Sequence, residues 1–134
     1  RDPDKAEDMR YCQHQTQQIF KELDRNGGIT ESFSDFLDGS DYLDAVANGK
    51  IKDNDIVLMF PIDGAQLYRN KQSDCWISIW IVFNQSPDSQ YKKKYVLLSV
   101  VIPGPKKPKN LNSFLFPGFH HITAVQKEGL AIWD

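Results

Sequence analysis

The stretch "DIVLMFPID" (55–63), followed at once by Gly64, opens as an apolar strand and closes on a carboxylate. A charge where a strand enters a core is costly unless it is hydrogen-bonded, paired or bound to metal. Asp63 therefore needs either a structural partner or a chemical task. Two further runs share the strand character, "CWISIWIVFN" (75–84) and "YVLLSVVI" (95–102). The segments between them, "GAQLYRNKQSD" and "QSPDSQYKKK", are rich in turn formers and of hairpin length. That alternation predicts a three-stranded antiparallel meander. The second run is apolar on both faces, as expected of a strand covered on each side. Pro61, two residues before Asp63, removes a ladder hydrogen bond from the first strand.

Upstream, Met9, Cys12, Ile19, Phe20 and Leu23 recur at helical spacing and predict a helix over 4–23, stopped by "RNGG" (25–28). A second helix is expected over "DYLDAVAN" (41–48), capped by Ser40 and stopped by Gly49. The segment between them begins like a calcium loop at Asp24 and Asn26. Gly28 and Ile29 then fall where a ligand and the loop glycine belong, so it reads as a plain helix–loop–helix. Past the proline-rich "PGPKKPKNLN" (103–112), Leu115, Phe119, Ile122, Val125, Gly129, Ile132 and Trp133 trace one helical face. This predicts a helix over 113–133, capped by Ser113 with Pro117 in its first turn, and packed on the meander through Phe119, Ile122 and Val125. The fold class is α/β of the α+β kind, with a helical segment over 1–54 and a mixed segment over 55–134.

The 134 residues suffice for one domain with a modest core, and no run is long and apolar enough for a membrane helix. The opening "RDPDKAEDMR" is unlike a secretory signal, and both ends are expected to be cuts through a longer protein. Cys12 and Cys75 are too few for a disulfide framework. They are expected as reduced, partly buried thiols, in keeping with an intracellular setting. Residues 1–90 carry nine Lys or Arg against sixteen Asp or Glu, and residues 91–134 carry seven against two. The second half is thus suited to a polyanion or an acidic surface. Its cations cluster as Lys92, Lys93 and Lys94, then Lys106, Lys107 and Lys109. They either grip phosphates or line a solvated hairpin tip and loop. His120 and His121 diverge by about 100° on a helix and cannot chelate one metal together.

For Asp63 the residues leave two readings open. It caps a turn through its own backbone, as Asp-Gly pairs do, or it gives a hard oxygen ligand to a divalent cation with Gly64 admitting a close approach. The stretches "DGAQLYRNKQSDCWISIWIVFN", "YVLLSVVIPGPKKPKNLNSFLFP" and "KEGLAIWD" closely resemble the transposases of CACTA-type (En/Spm-like) DNA transposons, fungal copies above all. The resemblance runs from about Ser34 and is strongest from Ile56 to Asp134, carried by "DG", "SDCW" and "IPGPKKPKN" in register. It implies the N-terminal part of a ribonuclease-H-like catalytic domain, truncated before the second catalytic strand. Family members use three carboxylates with Mg²⁺ or Mn²⁺ for DNA cleavage and strand transfer. Asp63 matches the first of those carboxylates; the second and third belong to later elements, and neither Asp74 nor Asp134 fits the second. The resemblance further implies double-stranded DNA as partner, at transposon ends and target. It also implies a nuclear location, no membrane, and a homo-oligomer in the full-length protein. The alternative is a decayed or domesticated remnant that serves as a non-catalytic DNA-binding or interaction module.

Overall fold

A computed structural model describes residues 3–29, 32–66, 69, 75–104 and 106–129. Its elements run α1 (Pro3–Asp8), α2 (Tyr11–Arg25), a 3₁₀ turn (Phe36–Asp38), α3 (Ser40–Ala47), β1 (Leu58–Met59), β2 (Ile62–Ala65), β3 (Cys75–Val82), α4 (Pro87–Gln90), β4 (Leu97–Pro103) and α5 (Leu111–Glu128). The class is mixed α/β with an antiparallel sheet, as the sequence predicts. Two compact units emerge, one formed by Arg1–Met59 with Ile81–Val96 and the other by Phe60–Trp80 with Leu97–Asp134.

The first unit is built around α2. Cys12, Thr16 and Ile19 fall on one helical face and are buried with Leu37, Tyr42 and Leu43, flanked by Phe20, Leu23, Val46 and Val57. The stop at "RNGG" is realised as read. The Asn26 and Gly28 N–H groups bond the Glu22 and Leu23 carbonyls at 2.9 and 2.8 Å, with Gly27 and Gly28 at φ 66° and 85°. The single helix expected over 4–23 is in fact two. Asp8, at the end of α1, turns its carboxylate to the Ser86 hydroxyl (2.9 Å) and N–H (3.3 Å), and the helix restarts at Tyr11 without a side-chain cap. α3 starts at Ser40 itself, after Gly39, so Ser40 is its first residue and not its cap.

Several buried polar groups in this unit are paired with one another. Thr16 Oγ1 donates to the Cys12 carbonyl (2.7 Å), which leaves it to accept from the Tyr42 hydroxyl (2.9 Å). The Cys12 thiol then donates to the Tyr42 oxygen at 3.1 Å. Burial, first of several causes, pushes the Tyr42 hydroxyl up to about 12. Asn84 is buried and ties the strand entry down. Its Oδ1 accepts from the Val57 N–H (2.8 Å), its Nδ2 donates to the Asp55 carbonyl (2.9 Å), and its own carbonyl accepts from the Cys12 N–H (3.4 Å). The helix–loop–helix is closed by Asp35 and Asp38, which form a reciprocal capping box around the 3₁₀ turn.

Asp38 is buried, and one carboxylate oxygen accepts from the Ser34 N–H (2.7 Å), the Ser34 hydroxyl (2.8 Å) and the Asp35 N–H (3.0 Å). Burial alone would raise its pKa. The three hydrogen bonds outweigh burial and hold it below the ordinary 3.8. A depressed carboxylate pKa adds stability above the unfolded-state value, and that contribution is lost as pH falls through the folded-state value. Asp38→Asn is therefore expected to flatten the acid limb of the stability–pH curve below about pH 4. Acid titration followed by circular dichroism checks this, and an unchanged acid limb contradicts it.

The second unit is an antiparallel meander, β2–β3–β4, with α5 upon it. Ile62, Asp63, Gly64 and Ala65 face Ser78, Ile77, Trp76 and Cys75 on β3, and β4 pairs along the other side of β3. Every residue of β3 is at least half-buried, as its two-faced apolar pattern predicts. Pro61 marks the interruption between β1 and β2. It has no N–H to give, but its carbonyl accepts from the Ile79 N–H at 3.3 Å. In the register, Ser78 opposes Val100 and Ile79 opposes Leu98, so Ser99 is an extra residue bulged out of β4.

α5 begins two residues before the expected Ser113. Asn110 is the cap, its Oδ1 accepting from the Ser113 N–H at 3.3 Å. Pro117 consequently lies inside the helix, not in its first turn, and leaves the Ser113 carbonyl without its i+4 donor. The helix ends at Glu128, and Gly129 (φ 76°) is its C-terminal cap and not part of a continuing face. Ile132 and Trp133 lie outside the described residues. Leu111, Leu115, Gly118, Ile122 and Val125 form its half-buried stripe. The Phe119 ring reaches Phe60 (4.9 Å between centroids) and Trp80 (5.4 Å), which also meet each other at 4.2 Å. A Cβ placed on Gly118 would lie 3.6 Å from Ser99 Oγ, an ordinary contact. Gly118→Ala is thus expected to raise stability by about 0.5–1 kcal/mol through helix propensity, read from urea unfolding. A loss of stability would contradict this packing of α5 on the bulge.

Candidate carboxylate site and basic clusters

Asp63 lies in the body of β2, paired to β3, so "DGAQ" is strand and not turn over Asp63–Ala65. The carboxylate still makes the local contact expected of Asp-Gly, as its Oδ1 accepts from the Gly64 N–H at 2.7 Å. Alternation along β3 decides which way it faces. The Trp80 ring meets Phe119, so Trp76, Ser78 and Trp80 take the α5 side. Ile77, and with it the cross-strand neighbours Asp63 and Val101, takes the other side. Asp63 is solvent-exposed there, beside half-buried Ile77 and exposed Val101. The charge in "FPIDG" is therefore not buried, and the desolvation cost that the sequence raises does not arise.

Lys92, Lys93 and Lys94 are exposed in the turn after α4 and belong to the first unit. The turn is closed by N–H bonds from Lys92 to the Ser89 carbonyl (2.9 Å) and from Tyr95 to the Lys92 carbonyl (2.8 Å). Lys94 Nζ sits 4.6 Å above the Tyr95 ring, a cation–π contact. Lys106, Lys107 and Lys109 are exposed ahead of α5 and belong to the second unit. His120 stacks on Phe116 (5.5 Å, 19°), and His121 is exposed. Asp74 and Asp134 lie outside the described residues.

Among the described residues no three His, Cys, Asp or Glu side chains are grouped to hold a metal ion. A two-metal centre needs several carboxylates, and Asp63 by itself does not complete one. Nor is any described helix long and apolar enough to cross a membrane. Sequence reasoning missed the Asp38 clamp, although "DFLD" (35–38) carries the spacing of a capping box. Both cysteines are free and buried.

What the fold defines is a class, mixed α/β with an antiparallel sheet and helices. No protein-family model, curated protein or solved structure matches the chain.

Proposed function

We propose that this chain is part of the catalytic domain of a DNA transposase, with a ribonuclease-H-like fold and Asp63 as its first carboxylate. One observation carries the reading. Asp63 stands exposed, on the face opposite α5, in the first strand of an antiparallel meander that a helix follows. The outer edge of β2 pairs with no other strand among the described residues, which is where a further strand bearing an acid would add. Because the described acids do not make a complete Mg²⁺ or Mn²⁺ site, the remaining ligands have to come from elsewhere in the protein. The function is DNA cleavage and strand transfer in the nucleus, at transposon ends and target duplex. The full-length protein, incubated with Mg²⁺ or Mn²⁺ and a duplex carrying the ends of its element, is expected to release 3′-hydroxyl termini at those ends. No cleavage with either ion would contradict the reading.

A second reading, a non-catalytic DNA-binding module, is favoured by the exposed lysines of the α4–β4 turn, with Lys94 braced on Tyr95. Such cations bind phosphates without reading sequence and release counterions on doing so. Replacing Lys92, Lys93 and Lys94 by Ala is expected to reduce the slope of log affinity against log salt by up to about 3. An unchanged slope would assign the three lysines to a solvated turn.

A further inference from the structure

The last strand of the second unit carries apolar side chains into solvent. Leu97, Leu98 and Val101 are 55%, 66% and 46% exposed. β4 pairs with β3 on one side, and its other edge pairs with no strand among the described residues. A long apolar edge of this kind is a template for another strand.

The surrounding charge selects the occupant. From Ser89 to Lys127 the chain has seven lysines and no acidic residue. Two copies joined edge to edge about a two-fold axis would set lysine-flanked ends against each other, which opposes self-pairing. An acidic strand meets the opposite situation. Lys106, Lys107 and Lys109 are exposed just beyond the C-terminal end of β4. Antiparallel addition places the N-terminal end of an incoming strand at that end of β4.

We propose that the outer edge of β4 binds an extended peptide, apolar at alternate positions and acidic at its N-terminal end, as an added antiparallel strand. Backbone hydrogen bonds to the open edge supply affinity. Alternate side chains cover Leu98 and Val101 on the face opposite α5, and the acidic head meets the lysines. The proposal goes beyond the transposase reading and rests on different residues from its catalytic claim. The Lys106–Lys109 cluster is shared with DNA binding, so peptide and duplex would exclude one another there.

The test titrates a fluorescent peptide, with a Glu-Asp-Glu head and a body of alternating Val and Thr, into the 134-residue chain. Polarisation gives affinity, and amide NMR gives location. The amides of Leu97 to Ile102 are expected to shift, and replacing the head by three lysines is expected to weaken binding roughly tenfold or more. Lys106→Glu combined with Lys107→Glu should weaken the acidic peptide to a similar extent. Both positions are exposed, and circular dichroism confirms that the variant is folded; if it is not, the comparison of heads decides alone. Shifts confined to other elements would overturn the proposal, as would equal affinity for the two heads or concentration-dependent pairing of free β4 edges. A duplex oligonucleotide that shifts the β4 amides where the peptide does not would also overturn it, assigning the edge to nucleic acid.

Discussion

Asp63→Asn in the full-length protein is expected, on the proposed transposase reading, to reduce DNA strand cleavage by roughly a thousandfold or more, about 4 kcal/mol of barrier. The fold should be untouched. Asn has the shape of Asp, and the side chain is exposed, so little packing is lost. The local bond is kept as well, because an amide oxygen can accept from the Gly64 N–H as the carboxylate does. What disappears is the negative charge that a hard cation requires. Thermal unfolding of the variant separates the two roles: wild-type stability with lost cleavage marks a catalytic carboxylate, whereas retained cleavage reduces Asp63 to a strand residue.

Leu37→Ala is expected to cost about 3 kcal/mol, within the 2–5 kcal/mol typical of buried leucines. Leu37 has no exposed surface and sits in the cluster of Cys12, Ile19, Tyr42 and Leu43. Its neighbours have little freedom to collapse onto the void. Tyr42 is fixed by its bonds to Thr16 and Cys12, and the 3₁₀ turn that carries Leu37 is fixed by Asp38. Urea unfolding followed by circular dichroism at 222 nm checks this, since the first unit holds α2 and α3. A loss below about 1 kcal/mol would mean that this cluster is not the core of the unit.

The meander was legible because its signals are local. Alternating apolar runs separated by turn residues specify strands, and glycines after Asn26 stop a helix without help from afar. What escaped the sequence depends on distant partners. The break after Asp8 is tied to Ser86, far along the chain, which a periodicity confined to residues 4–23 cannot contain. The start of α5 is set not by the expected Ser113 but by Asn110, whose side-chain oxygen accepts from the Ser113 N–H. The Ser99 bulge exists only in the pairing of β4 with β3.

For the site, motif and spacing singled out Asp63 and both lysine clusters. Its exposure could not be read from "FPIDG", because the face that Asp63 takes is decided by which side of β3 receives Phe119. The same dependence explains why an apparently core-bound charge carries no desolvation problem. The lysines are exposed, yet they divide between two units, a division that no local pattern announces.

The most direct test of the transposase account is a crystal structure of the full-length protein grown with Mn²⁺, with anomalous scattering used to find the ion. Mn²⁺ is expected on the Asp63 carboxylate, shared with at least one acid from a strand added at the free edge of β2. An anomalous map with no peak at Asp63, and no other carboxylate within bridging reach of it, would rule out Asp63 as a metal-binding catalytic carboxylate.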